Sequence, residues 1–219
     1  MDPYVTPETL PEKTRQWLDQ VAPYNRSHLE LRPDRAVLLV IDMQRFFVDP
    51  EGPAFTCGAA AILPNVSKLV SVFRTSQRPV VFTRHVHHPS RLDAGIMEWW
   101  WEGMCLEGSP ESEIHADLAP RGSEKVVLKH RYSAFYDTDL ATVLRCLKVE
   151  DLVISGTMTN MCCESTARDA YYRDYRVFFP ADANGAVNEE MHLASLLNLA
   201  YGFACITTTE HIVAALSKI

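Results

Sequence analysis

"AVLLVIDMQRFF", residues 36–47, sets six apolar residues in a row before its first charge, Asp42. A short run rich in Val, Leu and Ile predicts a strand buried on both faces. Similar runs recur at 79–84 (PVVFTR), 125–129 (KVVLK), 151–155 (DLVIS), 176–180 (RVFFP) and 204–208 (ACITT). Segments with helical spacing fill the gaps, at 62–77, at 137–149, after Cys162, at 188–202 and at 209–219. Gly202 is a natural helix stop. Strand and helix in alternation predict the α/β class, a three-layer α/β/α fold around a six-stranded, mainly parallel sheet. Strand order stays open at this level.

Two segments stand outside the alternation. Residues 1–33 form an N-terminal arm with one expected helix, PEKTRQWLDQV (11–21), which opens with proline at a tolerated position. The main domain then spans 34–219. Within it, 85–123 is a long connection containing EWWWEG, and loops of that length usually carry function.

The totals narrow the function classes. A chain of 219 residues with 47% hydrophobic and 22% charged residues suits a globular protein with a sizeable core. A net charge of -7 argues against nucleic acid or an anionic membrane as partner. No stretch reaches the length of a membrane span, and the polar, proline-punctuated N-terminus is unlike a signal peptide, so a cytoplasmic location is expected. The six cysteines (57, 105, 146, 162, 163 and 205) form no C-x-x-C pair. Neither a zinc site nor a disulfide framework is indicated. No G-x-G-x-x-G follows the first strand, where DMQRFF stands instead, so a dinucleotide cofactor is not expected.

In open parallel sheets, ligands bind outside the carboxyl ends of the strands. There the first run ends in Asp42 and the third in Lys129, while the fourth runs into the loop bearing Cys162 and Cys163. Carboxylate, ammonium and thiol on one sheet edge support acyl transfer to sulfur followed by hydrolysis of an amide-like C–N bond. The ammonium and a helix N-terminus favour thiolate, the carboxylate moves the proton, and backbone N–H groups of the turn face the oxyanion. Each residue also has a plainer reading. Free cysteines are commonly buried packing residues, an aspartate can cap a turn, and a lysine can be a solvated strand end.

VLLVIDMQRFF, VVLKHRYSAF and SGTMTNMCCESTARDA, in that order, resemble the isochorismatase-like cysteine hydrolases from about residue 34 to the C-terminus. The resemblance implies that Asp42 is the acid/base residue, Lys129 its partner and Cys162 the nucleophile. Cys163 is then a packing residue. It further implies a cis peptide before the nucleophile, expected between Met158 and Thr159, whose amide serves the oxyanion. Family members often carry a second acid where Phe46 stands. Phe46 and the arm suit true isochorismatases, which cleave a vinyl ether by acid catalysis from the aspartate. Those enzymes resemble this motif with a small residue in place of the cysteine. Amidase-type hydrolysis is therefore the expected activity, with vinyl-ether hydrolysis and a non-catalytic binding protein on the same fold as alternatives.

Nicotinamidases, one branch of this family, hold a metal through an Asp-x-His group and further histidines. Here FFVDPEGPAFTCGAA, after the first strand, has no histidine. His85, His87 and His88 sit in a loop by this reading and are expected to be solvated. No metal or other cofactor is expected. The expected pocket wall comprises Phe47, Trp100 and its neighbours, Tyr132 and Phe135, with Arg84 facing a substrate carboxylate or an internal acid. The expected partner is a small-molecule substrate, and the resemblance implies a homo-oligomer, dimer or tetramer.

Overall fold

The computed structural model describes residues 3–27 and 29–217. Residues 1, 2 and 28 of the expected arm and 218–219 of the expected last helix lie outside the described residues. Strand β1 spans Ala36–Ile41, β2 Val80–His85, β3 Lys125–Lys129, β4 Asp151–Thr157, β5 Arg176–Pro180, β6 Asn184–Gly185 and β7 Cys205–Thr207. Helices are α1 Leu10–Val21, α2 Arg45–Val48, α3 Cys57–Thr75, α4 Met97–Trp100, α5 Leu140–Leu147, α6 Glu164–Tyr171, α7 Glu189–Gly202 and α8 Thr209–Leu216.

The strands form one seven-stranded sheet in the order β3-β2-β1-β4-β5-β7, with β6 added beside β4. Every pairing between these strands is parallel. The expected six-stranded sheet thus gains a seventh member. Its two residues, Asn184 and Gly185, pair with Gly156 and Thr157 after β5 has turned away. Asn-Gly reads as turn chemistry in a sequence, which is why no strand was expected there.

β1 and β4 are buried along their whole lengths, as central strands of a covered parallel sheet must be. They pair from Ala36↔Asp151 to Ile41↔Gly156. At that last pair the backbones approach so closely that a Cβ on Gly156 would lie 2.0 Å from the Ile41 carbonyl oxygen. Gly156 also has φ +130°, where side-chain-bearing residues are strained. α3 lies along β1, β2 and β4 with α8 beside it, and α6 packs on β5 with α7 beside it. Thr56 caps α3 by accepting the Ala59 N–H.

The chain leaves β1 toward β2 and β3, then returns to the other side of β1 for β4. The reversal between β1 and β4 is the place where such folds bind ligands. α1 packs on α7 and on the turn Ala181–Ala183. Its buried residues, Leu10, Thr14, Trp17 and Val21, recur at helical spacing. Trp17 lies 4.4 Å, ring to ring, from buried His192 of α7. At the opposite end of the sheet, buried Asp151 accepts from Arg32 and from Arg176. Among the described residues, no helix is long and apolar enough to cross a membrane.

Candidate active site

Asp42 follows β1 with φ 49°. Its N–H donates to Thr83 Oγ1 at 3.0 Å, and that hydroxyl donates back to Asp42 Oδ1 at 2.5 Å. Gln44 fixes the next turn. Its Oε1 accepts the His85 N–H at 2.7 Å, and its Nε2 donates to the carbonyls of Ser112 at 3.0 Å and His85 at 3.2 Å. The D-M-Q stretch therefore carries one buried carboxylate and one internal clamp.

Lys129 ends β3 with no exposed side-chain surface. Its Nζ lies 2.7 Å from Asp42 Oδ2, 3.0 Å from the Arg131 carbonyl, and 3.3 Å from both Cys162 Sγ and His85 Nδ1. Burial works against its charge, but Asp42 and Cys162 outweigh burial and raise its pKa. For Cys162 the balance falls the other way. Burial pushes the thiol up to about 12 against the pull of Lys129, and the negative charge of Asp42 adds to the rise. The resting sulfur is a thiol, contrary to the thiolate that the ammonium alone favours.

Cys162 belongs to a one-turn π-helix, Thr159–Cys163, between β4 and α6. Such bulges recur at functional sites. Met158 O accepts the N–H groups of Met161 and Cys163 and closes the turn. Thr159 points away from the reactive groups, its Oγ1 lying 2.9 Å from His192 Nδ1. The cis bond is Thr157–Met158, one residue earlier than expected, because β4 runs on to Thr157 and the turn begins there. Cys163 is fully buried in the core.

Of Asp42, Lys129 and Cys162, the last lines a cavity of about 100 Å³, together with His85, Phe46, Phe47, Trp101 and Tyr132, among others. A wider, open groove of about 840 Å³ beside Leu18 and Cys205 lies at the far edge of the fold. Phe47 and Tyr132 stand where the pocket wall was expected. Trp100 does not. It is 71% exposed, and Trp99 is 88% exposed. α4 ends at Trp100 and the chain turns extended at Trp101, which points inward and donates from Nε1 to Tyr132 Oη at 2.9 Å. Phe135 stacks on Tyr175 in the core, 6.2 Å between rings, because the chain has left the site by then. Arg84 is held by Ser112 and Glu113. It meets an internal acid rather than the cavity.

The histidines differ most from expectation. His85 is the last residue of β2 and is buried, as is His87, while His88 is exposed. The strand runs one residue further than its apolar residues suggest, and Gln44 holds its end. A signal was present in the alternation of His85, Val86 and His87, which puts both rings on one side. Burial first, then the Lys129 charge, drops His85 well below the ordinary imidazole value. Among the described residues, two groups bring metal-type donor atoms within 4.8 Å of one another, Asp42 with His85 and Cys162, and His87 with Asp93 and His130. In the first, the Lys129 ammonium lies against all three atoms, so a cation already stands among them. In the second, Asp93 lies in hydrogen-bonding contact with His87 Nδ1 at 3.3 Å, whereas His130 Nδ1, 3.4 Å from Asp93, bonds the Val86 carbonyl at 2.6 Å.

Asp42, Lys129 and Cys162 thus stand together, buried, at the reversal point of a doubly wound sheet. The isochorismatase domain model matches residues 36–211, and the chain belongs to the isochorismatase family of hydrolases. It is 40% identical to nicotinamidase 3 of Arabidopsis thaliana over 178 residues, 80% of this chain and 85% of that protein. It is 33% identical to an isochorismatase of Bacillus subtilis over 80% of this chain, spanning 55% of that longer protein. The crystal structure of a cysteine hydrolase from Pseudomonas syringae pv. phaseolicola superposes with a TM-score of 0.84 at 32% identity, over 87% of this chain and 96% of that one.

Proposed function

We propose that the protein is a cysteine hydrolase that cleaves an amide-like C–N bond of a small molecule. The observation that carries this is the position of Lys129 Nζ, 2.7 Å from Asp42 and 3.3 Å from Cys162 beside the cavity. Asp42 takes the thiol proton as Sγ attacks the carbonyl carbon. The tetrahedral intermediate collapses, the C–N bond breaks, and the amine leaves with the proton from Asp42. Water then attacks the thioester, giving one proton to Asp42, which returns it to the sulfur as the acid departs. Lys129 holds Asp42 in place and steadies the thiolate while it exists. The N–H of Cys162 and the amide at the cis bond serve the oxyanion in this reading.

The cavity lining supports a substrate without carboxylates. Arg84 is committed to Ser112 and Glu113, and Arg131 to the carbonyls of Asp93 and His130. Isochorismate, with two carboxylates, meets no free cation among the named lining residues. A volume of about 100 Å³ suits a compact carboxamide or ureide. A cytoplasmic location, a homo-oligomeric state, and the division into arm (1–33) and hydrolase domain (34–219) belong to the same proposal.

The test is product formation from a pooled set of nicotinamide, ureides, carbamoyl amino acids, biuret and isochorismate, given to the wild type and to Cys162→Ala. Turnover of a C–N substrate that vanishes in Cys162→Ala is the expected result. Loss of isochorismate that survives the substitution overturns the thiol mechanism and leaves Asp42 as an acid catalyst. Binding without turnover in both proteins favours a non-catalytic role.

A further inference from the structure

The cavity beside Cys162 is walled mostly by apolar side chains, among them Phe46, Phe47, Met97 and Met161. Such pockets owe the orientation of their ligands to the few polar groups placed in them. Most of the polar side chains here are already engaged. His85 and His87 meet through their Nε2 atoms at 3.3 Å, and their Nδ1 atoms lie 3.3 Å from Lys129 Nζ and from Asp93 Oδ1 respectively. The Cys105 sulfur accepts from Gln44 Nε2 at 3.4 Å, and its S–H is a weak donor. Trp101 gives its single side-chain N–H to Tyr132 Oη at 2.9 Å.

Tyr132 differs from these. An indole nitrogen donates and does not accept, so the phenol oxygen is the acceptor in its bond with Trp101. The Tyr132 O–H is thereby turned away from the indole, and it meets no acceptor among the described residues. The same bond holds the phenol in place. Its ring stands 6.5 Å from the ring of His85, whose Nδ1 lies 3.8 Å from Cys162 Sγ. One imidazole thus separates the phenol ring from the sulfur, and all three residues line the cavity.

We infer that Tyr132 is a specificity-determining residue, its O–H donating to a second acceptor on a flat, uncharged carboxamide whose carbonyl carbon meets Cys162. This rests on the proposed role of Cys162. The substrate class is narrowed to carboxamides that carry a ring nitrogen or a further carbonyl oxygen on an otherwise apolar body. A site built to pair a polar group discriminates against the analogue that lacks it, because its own group is then left unpaired.

The test uses benzaldehyde and the three pyridine carboxaldehydes, which share one shape and differ by an acceptor nitrogen. Cys162 Sγ adds to the aldehyde carbon, the thiol proton ends on the aldehyde oxygen, and nothing leaves, so a reversible hemithioacetal reports occupancy. Dissociation constants are read from protection of Cys162 against iodoacetamide, followed on its own peptide by mass spectrometry, in wild type and Tyr132→Phe. The variant loses one oxygen from a half-buried ring. For at least one pyridine isomer, the preference over benzaldehyde is expected to be about fivefold larger in wild type than in Tyr132→Phe. Ring electronics act equally on both proteins, and any loosening of Trp101 acts equally on both aldehydes, so the ratio isolates the hydroxyl. Equal ratios in the two proteins for all three isomers overturn the inference and leave the thiol mechanism standing. Failure of every aldehyde to protect Cys162 overturns both.

Discussion

Lys129 Nζ lies 2.7 Å from Asp42 Oδ2 although their strands, β3 and β1, are separated by β2. The lysine stem crosses the end of the intervening strand, and both charges are sealed from solvent. Removing one partner of a buried pair leaves the other unpaired, at a cost of about 3–5 kcal/mol. Lys129→Met is therefore expected to lose that much in urea unfolding, and the double variant with Asp42→Asn less than the sum of the two singles. Additive losses would show that the ion pair contributes no coupling.

Asp42→Asn keeps the shape of the side chain but neither takes nor returns a proton. Activity on whichever C–N substrate is found should drop by about 10²–10⁴-fold. Retention of more than a tenth of wild-type turnover would remove Asp42 from the acid/base role.

The two neighbouring tryptophans give a paired control. Trp101→Ala opens the cavity wall and frees Tyr132 Oη, so KM should rise roughly tenfold, equivalent to about 1.4 kcal/mol, with kcat little changed. Trp100→Ala, on the solvent side of α4, should leave both constants at wild-type values. Steady-state kinetics on the two variants decide between them.

His192 is fully buried beside Trp17, and burial brings its pKa down to about 3. In an unfolded chain the imidazole titrates near 6.5. Above about pH 6.5 both states are neutral and the fold keeps its full stability. Below it the unfolded chain binds a proton that the fold refuses, so stability falls as pH falls, by about 2 kcal/mol at pH 5. His85, lowered for the same reason, adds in the same direction. Urea midpoints at pH 7 and pH 5 test this, and His192→Gln should narrow the gap between them.

Gly156→Ala should abolish soluble expression or cost more than about 4 kcal/mol, because the added methyl meets the Ile41 carbonyl at the β1–β4 seam. A urea midpoint within experimental error of wild type would show that the seam opens to admit it.

What the sequence disclosed followed from period and burial. The runs that became β1 to β5 and β7 are long or apolar enough to read directly; Asp42 and Lys129 stand at the ends of two of them, and Cys162 in the turn after a third. What it withheld depends on contacts from elsewhere in the chain. Asn184 and Gly185 become a strand only because the end of β4 lies open beside them. His85 looks like loop until Gln44, far off in the chain, pairs with its backbone. Trp101 rather than Trp100 faces the cavity because of where a four-residue helix stops, a boundary finer than spacing resolves. Phe135 shares its motif with Lys129 but belongs to the core beside Tyr175.

The family model's match begins at residue 36, yet α1 precedes it and sets Trp17 against His192, whose Nδ1 meets Thr159 in the turn that carries Cys162. A recombinant chain begun at residue 36 would carry every reactive group and still expose the imidazole that braces the turn holding Cys162. For expression work the working boundary of this protein lies upstream of Leu10, well before residue 36, where the family model's match begins.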